Sequence, residues 1–240
     1  MTNIRKLLGG VSFIVVLLLN QPITWAQGFG DDVKIEASYC AVTPIKATAT
    51  GSPANDYNVN LNPPLFRCTI PGTKLKQSFT LSGHAALGAG LGIFGSSQVA
   101  GPAASDGTTV VANDTLVLNP PVGFTGTSVE IGLKQTYTLK LQGATGHNMG
   151  NATACFKWTG RITPTCFPLA TNGVVTETLT FSPIVVKKTN IGFRLNIELT
   201  GDASVVTVTG SQVSASVTIG SPLFTLPNKD WTSTWLSGEP

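Results

Sequence analysis

Apolar side chains fall on every second position in several stretches of this chain. The longest runs from Ile191 to Leu199, where Ile191, Phe193, Leu195, Ile197 and Leu199 alternate with Gly192, Arg194, Asn196 and Glu198. A period of two places each set on its own face of an extended backbone, so the pattern predicts a strand with one buried face. The same alternation recurs in Val213, Ala215, Val217 and Ile219, in Tyr137, Leu139 and Leu141, in Val129, Ile131 and Leu133, and in Val33, Ile35, Ala37 and Tyr39. These read as half-buried antiparallel strands. Between them lie Thr200-Gly201-Asp202, Thr209-Gly210-Ser211, Gly143-Ala144-Thr145-Gly146 and Thr171-Asn172-Gly173, which read as turns because glycine reaches positive φ without a steric cost. No later stretch keeps a helical period with caps. The expected fold is all-β, an antiparallel β-sandwich of Ig-like or jelly-roll style, with a closed barrel as the second choice.

The segment from Gly83 to Gly107 breaks the pattern. It is rich in Gly and Ala, carries a single formal charge at Asp106, and reads as a long loop or a loosely held edge. Long structureless loops are uncommon and often functional. Leu87, Leu91, Ile93 and Phe94 would be costly to leave in water. The expectation is that they fold back onto the sandwich; the competing reading makes Leu91 and Phe94 contacts for another molecule. Pro63-Pro64 and Pro120-Pro121 punctuate the chain without marking a linker, because strand-like sequence continues on both sides. Residues 27–240 are expected to form one β-rich domain, with two sub-domains as the alternative.

The chain opens differently. Arg5 and Lys6 precede an apolar run from Leu7 to Asn20, and Thr24 and Ala26 place small residues at alternate positions. This three-part arrangement predicts a secretory signal, residues 1–26, cleaved after Ala26. A spanning helix needs about 20 apolar residues, and Asn20, Gln21 and Pro22 interrupt the run first. Gln27 in place of Cys argues against a lipid anchor. The expected mature protein has no stable membrane insertion and works in the periplasm, at the cell surface or outside the cell.

Of the 15 basic and 12 acidic side chains, Arg5 and Lys6 lie in the leader, so the mature chain is close to neutral. It offers no net pull on nucleic acid. Only 11% of residues are charged, and a surface built from Thr, Ser, Asn and Gly lets like molecules approach without strong repulsion. Cys40, Cys68, Cys155 and Cys166 are an even set in an exported chain, which predicts disulfides. Nearest-neighbour pairing, Cys40 with Cys68 and Cys155 with Cys166, would staple each half locally and contribute about 3.6 and about 2.8 kcal/mol through loop entropy.

Catalytic chemistry finds little to use. His84 and His147 sit in turn-like settings, and no Gly-x-Ser-x-Gly elbow accompanies them. No Cys-x-x-Cys supports zinc, and Cys155 has no histidine shortly after it, which disfavours the copper site suggested by His147 and Met149. Glu36, Glu130, Glu177 and Glu198 stand singly on predicted strands instead of pairing across a cleft. Phosphate cradles and His-Glu-x-x-His helices are missing from the sequence. The expectation is a non-enzyme with no cofactor and no metal. Trp158 lies between cysteines and reads as core, whereas Trp231 and Trp235, in the Pro-broken tail, are candidates to meet a sugar ring or a protein partner. Asn113-Asp114-Thr115 and Asn151-Ala152-Thr153 match glycosylation acceptors.

The segment Asp31 to Cys40, DDVKIEASYC, resembles the start of a chaperone–usher pilin, in which an alternating N-terminal strand precedes a cysteine. That resemblance implies that Val33, Ile35, Ala37 and Tyr39 fill a groove in a neighbouring subunit by strand addition. The chain departs from the pattern by ending Leu236-Ser237-Gly238-Glu239-Pro240, without an aromatic-bearing final strand, and by carrying a second cysteine pair. The expected function is that of an exported structural or adhesive protein, assembling with copies of itself or other surface proteins through sheet edges. The alternative is a secreted module that binds carbohydrate or another ligand.

Overall fold

The computed structural model describes residues 31–39, 45–51, 58–61, 66–69, 76–88, 91–100, 104–146, 148–207 and 212–237, with side chains described mainly from Leu91 onward. The predicted leader, Cys40, His147, Pro63-Pro64 and Thr209-Gly210-Ser211 lie outside the described residues. So do the side chains of Val33, Ile35, Glu36, Ala37, Tyr39 and Leu87.

Within the described residues the chain is almost wholly β. Its strands are β1 (Asp31–Tyr39), β2 (Ile45–Gly51), β3 (Asn58–Leu61), β4 (Phe66–Thr69), β5 (Lys76–Gly88), β6 (Gly92–Ala100), β7 (Ala104–Asn119) and β8 (Ser128–Gln142). They continue with β9 (Met149–Trp158), β10 (Thr165–Leu169), β11 (Gly173–Thr189), β12 (Gly192–Thr207), β13 (Val213–Ile219), β14 (Leu223–Thr225) and β15 (Thr232–Trp235). Neighbours in the sheet run β2-β1-β7-β12-β11-β8-β13-β6-β5-β3, with β9 on β12, β10 on β9, β15 on β7, β14 on β8 and β4 on β5. Every registered pairing is antiparallel, from Asp31 opposite Gly51 through the long β7–β12 ladder. Among the described residues the two halves of this path are joined edge to edge only by the β11–β12 hairpin, paired at Lys188 with Phe193 and at Thr189 with Gly192.

The path curls until its halves meet face to face. On β6, Ser97 Oγ lies 2.8 Å from Thr108 Oγ1 of β7 and 3.0 Å from the Ala203 carbonyl of β12. A Cβ at Gly201 would lie 3.0 Å from Val217 and 3.1 Å from Ile93, and one at Gly150 would lie 2.3 Å from Leu141. The inner faces therefore approach closely enough that any side chain larger than glycine at these positions would push its neighbours aside. This is the physical reason that Thr200-Gly201-Asp202, expected as a turn, instead runs straight through the middle of β12. Gly143-Ala144-Thr145-Gly146 does turn the chain between β8 and β9, with φ of 80° at Gly143 and 60° at Gly146.

Most of the alternating runs bury the faces they predict. Val213, Ala215, Val217 and Ile219 are inside, as are Phe193, Leu195, Ile197 and Leu199. Ile191 is a correction: it is 58% exposed in the turn that Gly192 completes at φ 96°, so the strand begins one residue later. Val129 to Leu133 and Tyr137 to Leu141 form one continuous strand, β8. Gln135 bridges the two runs, buried, with its amide donating to the Gly220 carbonyl.

The expected loop from Gly83 to Gly107 is also corrected, because it supplies the end of β5, all of β6 and the start of β7. On β6 the inward positions are Ile93, Gly95, Ser97 and Val99. The small residues in the middle of that set let β7 and β12 lie close above. Leu91, in the connection, holds a left-handed backbone at φ 71°, a conformation that costs a residue with a Cβ and is offset here by burial of its side chain.

Cys155 on β9 and Cys166 on β10 stand directly opposite one another and are joined, with Cα atoms 4.1 Å apart. That pairing is the one expected from spacing. Cys68 lies on β4 opposite Gln77; its expected bond to Cys40 lies outside the described residues.

Candidate functional site

Inward placement of Tyr137, Leu139 and Leu141 turns Thr136, Thr138 and Lys140 to the outside of β8. On one side β11 sets Thr178 opposite Thr136, Thr176 opposite Thr138 and Val174 opposite Lys140. The hydroxyls meet across the strands at 2.8 Å for Thr136–Thr178 and 3.0 Å for Thr138–Thr176. On the other side β13 adds Thr218 opposite Thr138 and Ser216 opposite Lys140. Beyond it β6 adds Phe94 opposite Thr218 and Ser96 opposite Ser216. The outcome is a broad hydroxyl face flanked by Lys134 and Lys140, with no acidic side chain at these outward positions.

This face ends at an open edge. β11 pairs with β8 along one side, while among the described residues its other side meets β12 only at Lys188 and Thr189. Val174 is 59% exposed, and Thr176, Glu177, Thr178 and Thr180 are exposed with it. Unpaired strand edges are templates for further pairing unless charge, proline or a bulge blunts them. β11 carries all of these devices in its second half: a register shift between Phe181 and Ile184, Pro183, Lys187 and Lys188. Its first half, Gly173 to Phe181, has one charge, Glu177, whose carboxylate accepts the Tyr137 hydroxyl at 2.7 Å. Burial, and then that neighbouring carboxylate, pushes the Tyr137 phenol well above its ordinary pKa. The Tyr137 ring is stacked on Phe167 at 5.2 Å, so the hydroxyl is aimed at the edge by packing behind it.

Three carboxyls elsewhere are shifted by burial. Asp106 is almost completely buried; its Oδ2 accepts the Gln98 N–H at 3.3 Å, and among the described residues its Oδ1 has no hydrogen-bond partner. Burial pushes this carboxyl up to about 7 against the opposing backbone and Ser97 hydrogen bonds. Burial also raises Asp202, opposed by the Thr109 hydroxyl, and Glu198, opposed by the Lys157 charge. Among the described residues no group of three or more His, Cys, Asp or Glu side chains could hold a metal.

The residues singled out from sequence are scattered by the fold. Leu91 is buried, so as a partner contact it is corrected: its side chain has no outward surface. Phe94 is half-buried on the outer face, with its ring edge-on to His84 at 5.3 Å. β1, which carries Val33, Ile35, Ala37 and Tyr39, is flanked on both sides, by β2 and by β7 of the same chain. Trp231 is likewise corrected, being 4% exposed and enclosed by Phe124 at 5.0 Å and Phe193 at 5.6 Å. The reason is that the tail is built into the sheet, β14 on β8 and β15 on β7. Trp235 remains half-buried against Phe224 at 5.7 Å. Trp158 packs on Phe181 at 4.7 Å, and the Arg161 guanidinium lies over its ring. The hydroxyl face went unflagged, although its signal is present as Thr136-x-Thr138 and Thr176-x-Thr178-x-Thr180. No family model matches the chain, and no curated protein matches it.

Proposed function

We propose that this chain is an exported, non-catalytic structural or adhesive protein of the cell surface or extracellular space, and that its curled sheet is a two-layer β-sandwich that assembles through strand edges. The observation that carries the reading is the hydroxyl face of β8, β11 and β13, flanked by lysines and ending at the open edge of β11. Such a surface wets easily yet repels its own kind weakly, which suits repeated contact between like molecules. The Cys155–Cys166 bond suits an oxidising compartment. Among the described residues no helix is long and apolar enough to cross a membrane. With Trp231 enclosed, the carbohydrate-binding alternative keeps the loops and, of its two tryptophans, Trp235.

The test is the molar mass of the full chain after export, measured by light scattering on a sizing column across a range of concentrations. Negative-stain imaging of the largest fraction accompanies it. A mass of two chains or more is expected. A single-chain mass at every concentration, together with tryptophan fluorescence that responds to added glycans, would replace this reading with the carbohydrate-binding one.

A further inference from the structure

Resting on that reading, we infer that the first half of β11 is the self-association edge, where a second copy of this chain pairs antiparallel about a two-fold axis at Thr178. A two-fold axis normal to a sheet keeps outward residues outward, so only positions of the same parity can face each other across the join. Centring on Glu177 would set two carboxylates opposite one another, and like charges in direct opposition are destabilising. Centring on Thr178 removes that conflict. It sets Thr178 against its own copy and Thr176 against Thr180, so that three threonines on each strand meet three on the other. On the inner face it sets Val175 against Phe181 and Glu177 against Leu179. The threonine ladder that already joins β8 to β11 at 2.8 and 3.0 Å would then continue through both copies without interruption.

The distribution of blunting features supports the choice of edge. The register shift, Pro183, Lys187 and Lys188 all follow Phe181, whereas the half from Gly173 to Phe181 carries a single charge, Glu177, already held by the Tyr137 hydroxyl. An edge protected along only half its length stops a neighbouring strand at the shift, which limits pairing to one register. Among the described residues no strand pairs with the outer side of this half, and Val174, Thr176, Thr178 and Thr180 are exposed. Because the two-fold closes on itself, the product of this contact is a dimer.

Two charge variants of Thr178, an exposed position, test the inference. Thr178→Lys places two ammonium groups opposite each other at the axis, and Thr178→Glu places two carboxylates there. The full exported chain is measured by sedimentation velocity as wild type, as each variant alone, and as an equal mixture of the two. The wild type is expected at twice the single-chain molar mass, each variant at the single-chain mass, and the mixture back at twice that mass as Lys meets Glu. Variants that associate as the wild type does would overturn this edge while leaving self-assembly through another edge standing. A wild type that stays at the single-chain mass at every concentration would overturn both. Near-identical far-ultraviolet circular dichroism for the three proteins separates loss of association from loss of fold.

Discussion

The two ends of the β7–β12 ladder are buried by opposite means. At one end Phe193, beside Leu118, packs with Phe124 and Trp231 in a cluster of edge-on rings 5.0 to 5.9 Å apart. At the other end the inward positions Ala203 and Val205 of β12 face Thr108 and Asp106 of β7, and these two polar residues are buried together with Thr207, Ser97 from β6 and Asn148. Here the strands are held by directed bonds: Thr108 Oγ1 donates to the Ser96 carbonyl at 2.8 Å, and Thr207 donates to Asn148 at 3.1 Å. An aromatic end is stabilised by area removed from water and is indifferent to pH. A polar end depends on satisfied donors and on keeping its carboxyl neutral. One core therefore has two different sensitivities.

The largest expected effect breaks the aromatic end. Phe193→Ala should lower stability by about 3–5 kcal/mol, from lost burial plus the cavity left among Phe124 and Trp231. Urea unfolding at pH 5 and at pH 8 should show the same loss, since no titrating group is involved. A loss that differs between the two pH values would mean the ends are coupled.

Asp106→Asn sharpens the contrast from the polar end. The folded carboxyl is held up to about 7 against an ordinary 3.8, so the folded state keeps a proton that the unfolded state releases. The wild type should therefore lose stability as pH rises from about 4 to about 7 and stay at the lower level above that range. Asn cannot ionise, and the variant should be more stable than the wild type by about 4 kcal/mol at pH 8, about 1.4 kcal/mol for each of the roughly three pH units between the two pKa values, with no gain near pH 4. Glu198 and Asp202 are raised as well and add slope of the same sign. Comparing the two proteins at each pH isolates Asp106. Equal stability at pH 8 would count against a neutral buried carboxyl.

The smallest effect comes from Ser97→Ala, which removes the hydroxyl lying between Thr108 and the Ala203 carbonyl. A loss of about 1 kcal/mol is expected, the net worth of one buried hydrogen bond, read as a shift in the urea midpoint with an unchanged slope. A change in slope would show instead that the polar end frays on its own.

Much of the fold is legible in the sequence, and the exceptions share a cause. Period-two runs such as Val213 to Ile219 identify strands because one face must leave water, a requirement local enough to be written in neighbouring residues. Glycine is ambiguous at the same level. Gly143 and Gly146 supply positive φ for a turn, whereas Gly201 supplies empty space beneath Val217 and Ile93. The letters are identical; only the partner strand distinguishes the uses. β6 is hidden for a related reason, since Gly95 and Ser97 lower its strand propensity while permitting close approach of β7 and β12. Of the candidate site, the Thr-x-Thr spacing is visible, but its register against β8 is not.

By itself the sequence determined the all-β class, the inward faces of its clearest strands and the local Cys155–Cys166 pair, because each depends on residues close together in the chain. Only the tertiary structure decided that Trp231 is enclosed, that Asp106 lies inside, and that β11 has one open edge bordering a hydroxyl face. Those properties depend on which strands become neighbours, and that is settled by long-range packing of whole faces against one another. No short window of residues carries that information.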